Sequence, residues 1–431
     1  MLSVTLFLLL LLVASSLFVA AVLGVLGYSL GTFFSPFPLI RGLGEVAWTS
    51  SADFILVAVP MFILMGELLL RSGVTDAMYE ALDRWVGHIP GGLMHTNIAA
   101  SAVFAATSGS SIATAATIGT VSIPNMDRYG YNPGMFLGSI AAGGTLGILI
   151  PPSINMVLYG AMSDTAVGDL YLAALIPGLM LAGIFSLYVY VRCKINPSLA
   201  PGGKVSSWGQ RMRALVHLLP PVLLFMLVVG SIYAGFATAT EASALGVMGA
   251  LALVIVRGRL SVPLLLRAFE GTVRTTAMVM AIVIAAYFLN FVLSTLGLTD
   301  AAVKWVGQLG WEPLSVLLAI IVLYIFLGCF VESLTLMIAT TPIVVPIILQ
   351  LGYSPVWFGV VFVILIETAL ITPPIGVNLF VVQSVRKGGP FRDVVMGSLP
   401  YVLLMFLLII GLIAFPEIAL WLPSVFAAGR G

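Results

Sequence analysis

Charge is what this sequence has least of. Only 8% of its 431 residues are Asp, Glu, Lys or Arg, while 61% are hydrophobic. Ordinary soluble domains carry about 25% charged residues. A soluble fold of this size could not hide so much apolar surface, so lipid has to be part of its solvent. The few charges almost cancel, to +1, which removes the basic footprint that nucleic acid requires and any case for an acidic surface partner. Histidine and cysteine are also scarce. His88, His95 and His217 are dispersed, and Cys193 and Cys329 stand alone in apolar surroundings. There is no HExxH motif, no Cys/His cluster and no disulfide framework. No nucleophile–base pair or metal set emerges, so the chain is not expected to be an enzyme. Residues 1–26 carry no charge at all. A signal peptide needs a positive start and a cleavage site, so this stretch reads as a retained first transmembrane helix.

What the chain does have is apolar length. A spanning helix takes about 20 residues, and stretches of that order lie near 2–26, 52–71, 170–192, 215–234, 238–256, 272–296 and 396–422. Two longer stretches, 132–162 and 355–385, are each cut midway by a double proline. Two more, 92–127 and 313–350, are too long for one crossing and hold a polar, small-residue patch at their middle. They read as re-entrant hairpins. Segments 39–51 and 260–271 mix polar and apolar residues and read as helices lying in the interface. Glu67 and Glu241, near span ends, read as interfacial. With the N-terminus in the cytoplasm and both hairpins returning to their own side, fifteen of the 18 Lys and Arg residues fall inside, and only Arg41, Lys304 and Arg430 fall outside. That is a strong positive-inside bias.

The chain also repeats itself. Pro124, Gly130, Tyr131, Pro133 and Phe136 recur in register at Pro346, Gly352, Tyr353, Pro355 and Phe358. Ser111 falls on Ser333, and Pro151-Pro152 on Pro373-Pro374. Upstream, Gly73-Val-Thr-Asp76 resembles Gly297-Leu-Thr-Asp300. The expected architecture is an all-α polytopic membrane protein of two inverted repeats with re-entrant helical hairpins and broken helices. The first repeat is 1–192 (hairpin 92–127, broken helix 132–162). A cytoplasmic linker and connecting helix occupy 193–237. The second repeat is 238–431 (hairpin 313–350, broken helix 355–385). One extra crossing between two four-crossing units turns the second upside down. Inverted repeats with matched broken helices point to a transport site at the midplane.

The chemistry fits. Consecutive prolines remove donors and free carbonyls, and such groups are tolerated at membrane depth only inside protein or beside a water-filled cavity. Carbonyls and hydroxyls are hard oxygen ligands suited to a sodium ion, and helix N-termini at the tips and breaks suit a carboxylate. One such patch alone would more often be close helix packing; two matched pairs favour a site. Glu332 and Glu367 are costly at this depth and therefore functional candidates. Substrate contacts are expected from Ser110, Ser153, Glu332 and Gly376. A channel is disfavoured, because no ring of like charge lines a pore.

At this point the motifs are recognisable. SGSS at 108–111 within the Ala/Ser/Thr-rich stretch 99–124, GILIPPSIN at 147–155 and TPPIGVN at 372–378 resemble the large membrane subunit of tripartite ATP-independent periplasmic (TRAP) transporters, the DctM-like family, over essentially the whole chain. The resemblance implies sodium-coupled uptake of an organic acid, a C4-dicarboxylate or a sugar-acid-like carboxylate, in the bacterial inner membrane by an elevator-type movement. It implies two partners, a periplasmic substrate-binding protein and a small four-helix membrane subunit, here expected as a separate chain. No cofactor is implied beyond sodium as coupling ion. Carried over by motif, one sodium site would use Ser108, Gly109, Ser111, Gly143, Pro151 and Asn155. The other would use Glu332, Ser333, Thr335, Thr368, Pro373 and Asn378. The alternative is a stand-alone sodium-coupled dicarboxylate symporter or ion antiporter of similar architecture.

Overall fold

The double prolines, capping residues and left-handed glycines cut an otherwise continuous apolar chain into helices. The structure is a computed structural model that describes Thr5, Leu8 and residues 18–201 and 206–428. Among these residues there is no strand. The first repeat holds α1 (Val19–Phe34), α2 (Leu43–Ser51), α3 (Ala58–Ser72), α4 (Val74–Val86), α5 (Leu93–Ser108), α6 (Ser111–Tyr129), α7 (Pro133–Leu149), α8 (Ile154–Ser163) and α9 (Val167–Ile195). A connecting helix, α10 (Trp208–Tyr233), follows. The second repeat holds α11 (Ala239–Val256), α12 (Val262–Thr295), α13 (Leu298–Gln308), α14 (Pro313–Gly328), α15 (Ser333–Gln350), α16 (Pro355–Leu370), α17 (Val377–Arg386), α18 (Phe391–Ala414) and α19 (Glu417–Ala428). Six of the described helices are long and apolar enough to cross a membrane, or eight if the bent pairs α3–α4 and α7–α8 each count as one span.

Each boundary has a local cause. Ser110, Asn132, Ser153, Glu332 and Ser354 cap the helices that follow them, accepting from a backbone N–H in the first turn. Such caps satisfy donors that would otherwise be orphaned in an apolar setting. At Gly73 (φ 72°) and Gly297 (φ 66°) the backbone turns left-handed. α3 and α4 meet there at 72°, and α13 follows α12 in the same way. These short amphipathic helices are additions to the sequence reading. Hairpin one (α5–α6) and hairpin two (α14–α15) are closed by short tips, Gly-Ser at 109–110 and Cys-Phe-Val-Glu at 329–332.

Two packed sets emerge. In one, α1, α2, α3, α11 and α12 lie together. In the other, α5, α6, α7 and α18 form the centre, with α16 against α7, α9 and both arms of hairpin two. The second halves of the broken helices cross over between repeats: α8 packs on α15, and α17 packs on α6.

Four boundaries differ from the sequence reading. The first span is expected at 2–26, of which most lies outside the described residues; α1 continues to Phe34, and beyond the expected end its Gly27 packs on the Phe288 ring of α12. The span at 52–71 begins only at Ala58, since Asp53 accepts from the Ile55 N–H at 2.8 Å and holds a turn. The segments 260–271 and 272–296 form the single 34-residue helix α12. The span at 396–422 is divided at Phe415, whose φ of −134° is set by the following Pro416.

Candidate functional site

A cavity of about 870 Å³ gathers much of the predicted site. Ser108, Gly109 and Ser110 of the first tip, Asn155 at the start of α8, and Glu332 and Thr335 of the second tip line it. α3 and α12 supply the remaining wall, mostly apolar, through Ile63, Gly66, Glu67, Leu70, Met278 and Ile282. The two tips, far apart in sequence, thus face one space. Glu67 reads from the sequence as interfacial; in the structure it lies in the second half of α3 and lines the cavity. Glu241 lies in the capping box of α11, at that helix's start.

The first tip is built tightly. Ser108 Oγ and Thr114 Oγ1 are 3.0 Å apart, and Thr114 donates to the Ser110 carbonyl at 2.8 Å. Gly109 is left-handed (φ 61°), and a methyl group there would stand 3.0 Å from the Pro152 carbonyl oxygen. Gly147 gives the tip room, because a methyl on it would lie 2.6 Å from the Ser110 carbonyl oxygen and 2.7 Å from Thr114 Oγ1. Tip, break and α7 therefore touch through backbone and hydroxyl oxygens. The second tip is organised by Glu332. Its carboxylate accepts from Thr335 N–H at 3.1 Å, Thr335 Oγ1 at 3.2 Å and Ser333 Oγ at 3.2 Å.

A second polar centre lies inside the helices. Ser111 donates to a carboxylate oxygen of Glu367, joining hairpin one to α16. The other oxygen of Glu367 is buried and has no hydrogen-bond partner. Asn378 is fully buried, and both polar atoms of its amide lack partners. It lies beside Ser111, since a methyl group on Gly144 would meet Asn378 Nδ2 at 3.1 Å and the Ser111 carbonyl at 3.2 Å. Unpaired buried groups of this kind are costly; the Glu367 and Asn378 oxygens are acceptors suited to a cation, whereas the Asn378 nitrogen can only donate.

The remaining predicted residues divide. Ser153 is fully buried, caps α8, and its carbonyl accepts from Tyr171 at 3.3 Å, so it does not face the cavity. Gly376 is held against Thr372 and Leu379 at the start of α17, also away from it. Gly143 lies in α7 against Ser101, and Thr368 donates to the Ile364 carbonyl at 2.6 Å within its own helix. Pro151 is buried at the first break, whereas Pro373 at the second is half-buried. The two sets do not segregate by repeat: Asn155 shares the cavity with Glu332, and Asn378 sits beside Ser111.

Residues 4–418 match the family described as "Tripartite ATP-independent periplasmic transporter, DctM component". The chain belongs to the DctM family. It is 34% identical over 405 residues to a C4-dicarboxylate TRAP transporter large permease protein of Pseudomonas aeruginosa, covering 93% of each chain. It is 32% identical to a sialic acid TRAP transporter large permease protein of Vibrio cholerae, over 96% of this chain and 94% of that one. A third relative, an ectoine/5-hydroxyectoine TRAP transporter large permease protein of Ruegeria pomeroyi, is 32% identical over 86% of each chain. The fold is shared with the YdaH transporter of Alcanivorax borkumensis (TM-score 0.66, 15% identity, 97% of this chain and 98% of that one). It is also shared with MtrF of Neisseria gonorrhoeae (TM-score 0.60, 13% identity, 97% and 94%). This DctM-family chain is thus a polytopic membrane protein of a transporter family, and its two hairpin tips face one cavity.

Proposed function

We propose that the chain is the translocating subunit of a sodium-coupled importer of an organic acid in the bacterial inner membrane. In this reading it works with a periplasmic binding protein and a small membrane subunit, its N-terminus cytoplasmic, by an elevator-type movement. The observation that carries it is the single cavity faced by both hairpin tips on one side and by α3 and α12 on the other. A body bearing both tips can then carry one bound molecule past a fixed wall. The C4-dicarboxylate and sialic acid named for two relatives support the reading of a C4-dicarboxylate or sugar-acid-like carboxylate as substrate.

Sodium fits the donors present. Hard cations take oxygen ligands, and the Glu367 oxygen and Asn378 amide without partners, with Ser111, offer a buried oxygen set. Ser108, Gly109 and Asn155 offer another beside the cavity. A bound sodium ion would supply the positive charge that offsets a buried carboxylate. The test is uptake into proteoliposomes holding the chain and its small subunit. A sodium gradient, the binding protein and substrate together should give uptake, and omission of either sodium or the binding protein should abolish it. Full uptake without the binding protein would favour the stand-alone symporter; uptake indifferent to sodium would refute the coupling.

A further inference from the structure

The cavity has a charge problem. Its lining contains two carboxylates, Glu67 and Glu332, and no lysine or arginine. Glu332 is engaged with the backbone and hydroxyls of its own tip. Glu67 is different. It projects from α3, and its carboxylate lies against Gly271 of α12, where a methyl group would come within 2.7 Å of the carboxyl carbon. One turn along α3, the Arg71 guanidinium is ion-paired with that carboxylate and also donates to the Glu67 carbonyl at 3.0 Å. Neither member is sealed away; the two side chains remain 27% and 21% exposed. The neighbouring Gly66 sits on the first tip, a methyl there lying 3.2 Å from the Ser108 carbonyl oxygen. The pair therefore begins one residue from the point where hairpin one meets the wall.

Resting on the organic-acid reading above, we propose that Arg71, which stands behind Glu67 just outside the lining, is a substrate-binding residue whose guanidinium takes the acid group of the transported molecule when Glu67 moves aside. The exchange swaps one carboxylate for another on the same fork of donors. Arginine holds carboxylates through paired charge-assisted hydrogen bonds, and the bond lost nearly matches the bond gained. Net affinity at this point is therefore weak, as passage requires: the molecule is received and then released when Glu67 reclaims the guanidinium. The ion pair near the end of α3 thereby has a use in transport. An ion pair kept only for stability would bring no such benefit, because partly exposed pairs contribute little.

The two roles separate by sign. The purified complex with its small subunit is tested for direct binding of radiolabelled succinate, N-acetylneuraminate, isethionate and ectoine at fixed sodium concentration. Arg71→Gln should weaken binding of the retained probe by roughly 10- to 100-fold, because Glu67 is then left as an unpaired like charge facing the acid group. Arg71→Lys should fall between. Glu67→Gln, which removes the competitor and leaves Arg71 in place, should tighten binding by about threefold or more. Equal weakening by Arg71→Gln and Glu67→Gln would identify a plain structural pair and overturn the proposal, as would no change in either. Should Arg71→Gln fail to fold, the opposite signs of Arg71→Lys and Glu67→Gln decide. Retention of none of the four probes by the wild-type complex with its binding protein present would overturn the organic-acid reading itself, and this proposal with it.

Discussion

The contact between Gly147 and the first tip allows the site's precision to be tested by one methyl group. In Gly147→Ala the added carbon would stand 2.6 Å from the Ser110 carbonyl oxygen and 2.7 Å from Thr114 Oγ1. Both are about 0.8–0.9 Å inside the ~3.5 Å at which nonbonded contacts rest. The Ser110 carbonyl cannot yield alone. It accepts from Thr114 N at 3.0 Å and from Thr114 Oγ1 at 2.8 Å, and its residue caps α6. The strain therefore falls on the first turn of α6 and on the tip, at about 1–3 kcal/mol for overpacking of this kind. If the tip carries it, sodium half-saturation of uptake should rise roughly 5- to 150-fold; any remainder appears as a lower Tm. Gly183→Ala in α9 is the control, because nothing lies within 4 Å of its added methyl. That control should match wild type or gain slightly, since alanine is about 0.5–1 kcal/mol better than glycine inside a helix. A Gly147→Ala protein with wild-type sodium dependence and wild-type Tm would show that the tip is not held as described.

Three further outcomes follow from other contacts. Gly397→Ala would drive a methyl into the Gly134 backbone where α18 crosses α7; a marked drop in Tm in detergent is expected, and an unchanged melt would contradict the close crossing. Tyr79→Phe removes the donor to Asn97 Oδ1, 2.6 Å away in a buried setting, and should cost about 1–3 kcal/mol, read from thermal or denaturant unfolding; stability equal to wild type would mean that this bond contributes nothing. In a background lacking Cys193 and Cys329, Gly352→Cys should react with an impermeant thiol reagent in intact spheroplasts, and Gly130→Cys only after the membrane is opened. Both glycines have open space around them, so labelling of the two from one side would refute the inverted topology.

How much of this was legible beforehand follows from the range of each signal. Apolar length, double prolines and polar small-residue patches can be read within one stretch of chain, and they placed both hairpins and both breaks. The Gly73 and Gly297 turns were visible as a repeated motif, though not as bends. Other features depended on distant partners. α1 runs past its predicted end, where Gly27 meets Phe288 of α12. Residues 262–295 form one helix with no proline or left-handed residue between the two predicted segments to divide them. Glu67 looked interfacial by its distance from a span end, but the packing of α3 between the first tip and α12 turns it into the cavity.

Composition by itself determined that this chain lives in lipid, and spacing determined that it is built twice from the same helical parts. Those properties are sums or periodicities along the chain, and no partner is needed to read them. Tertiary structure alone decided that Asn378 stands beside Ser111, that Ser111 bonds to a carboxylate 256 residues away, and that the two tips share one cavity. The physical reason is that α8 and α17 each cross to pack on the other repeat's hairpin. Which side chains meet there is set by the rotation and depth of two helices against each other, and no window of sequence contains both.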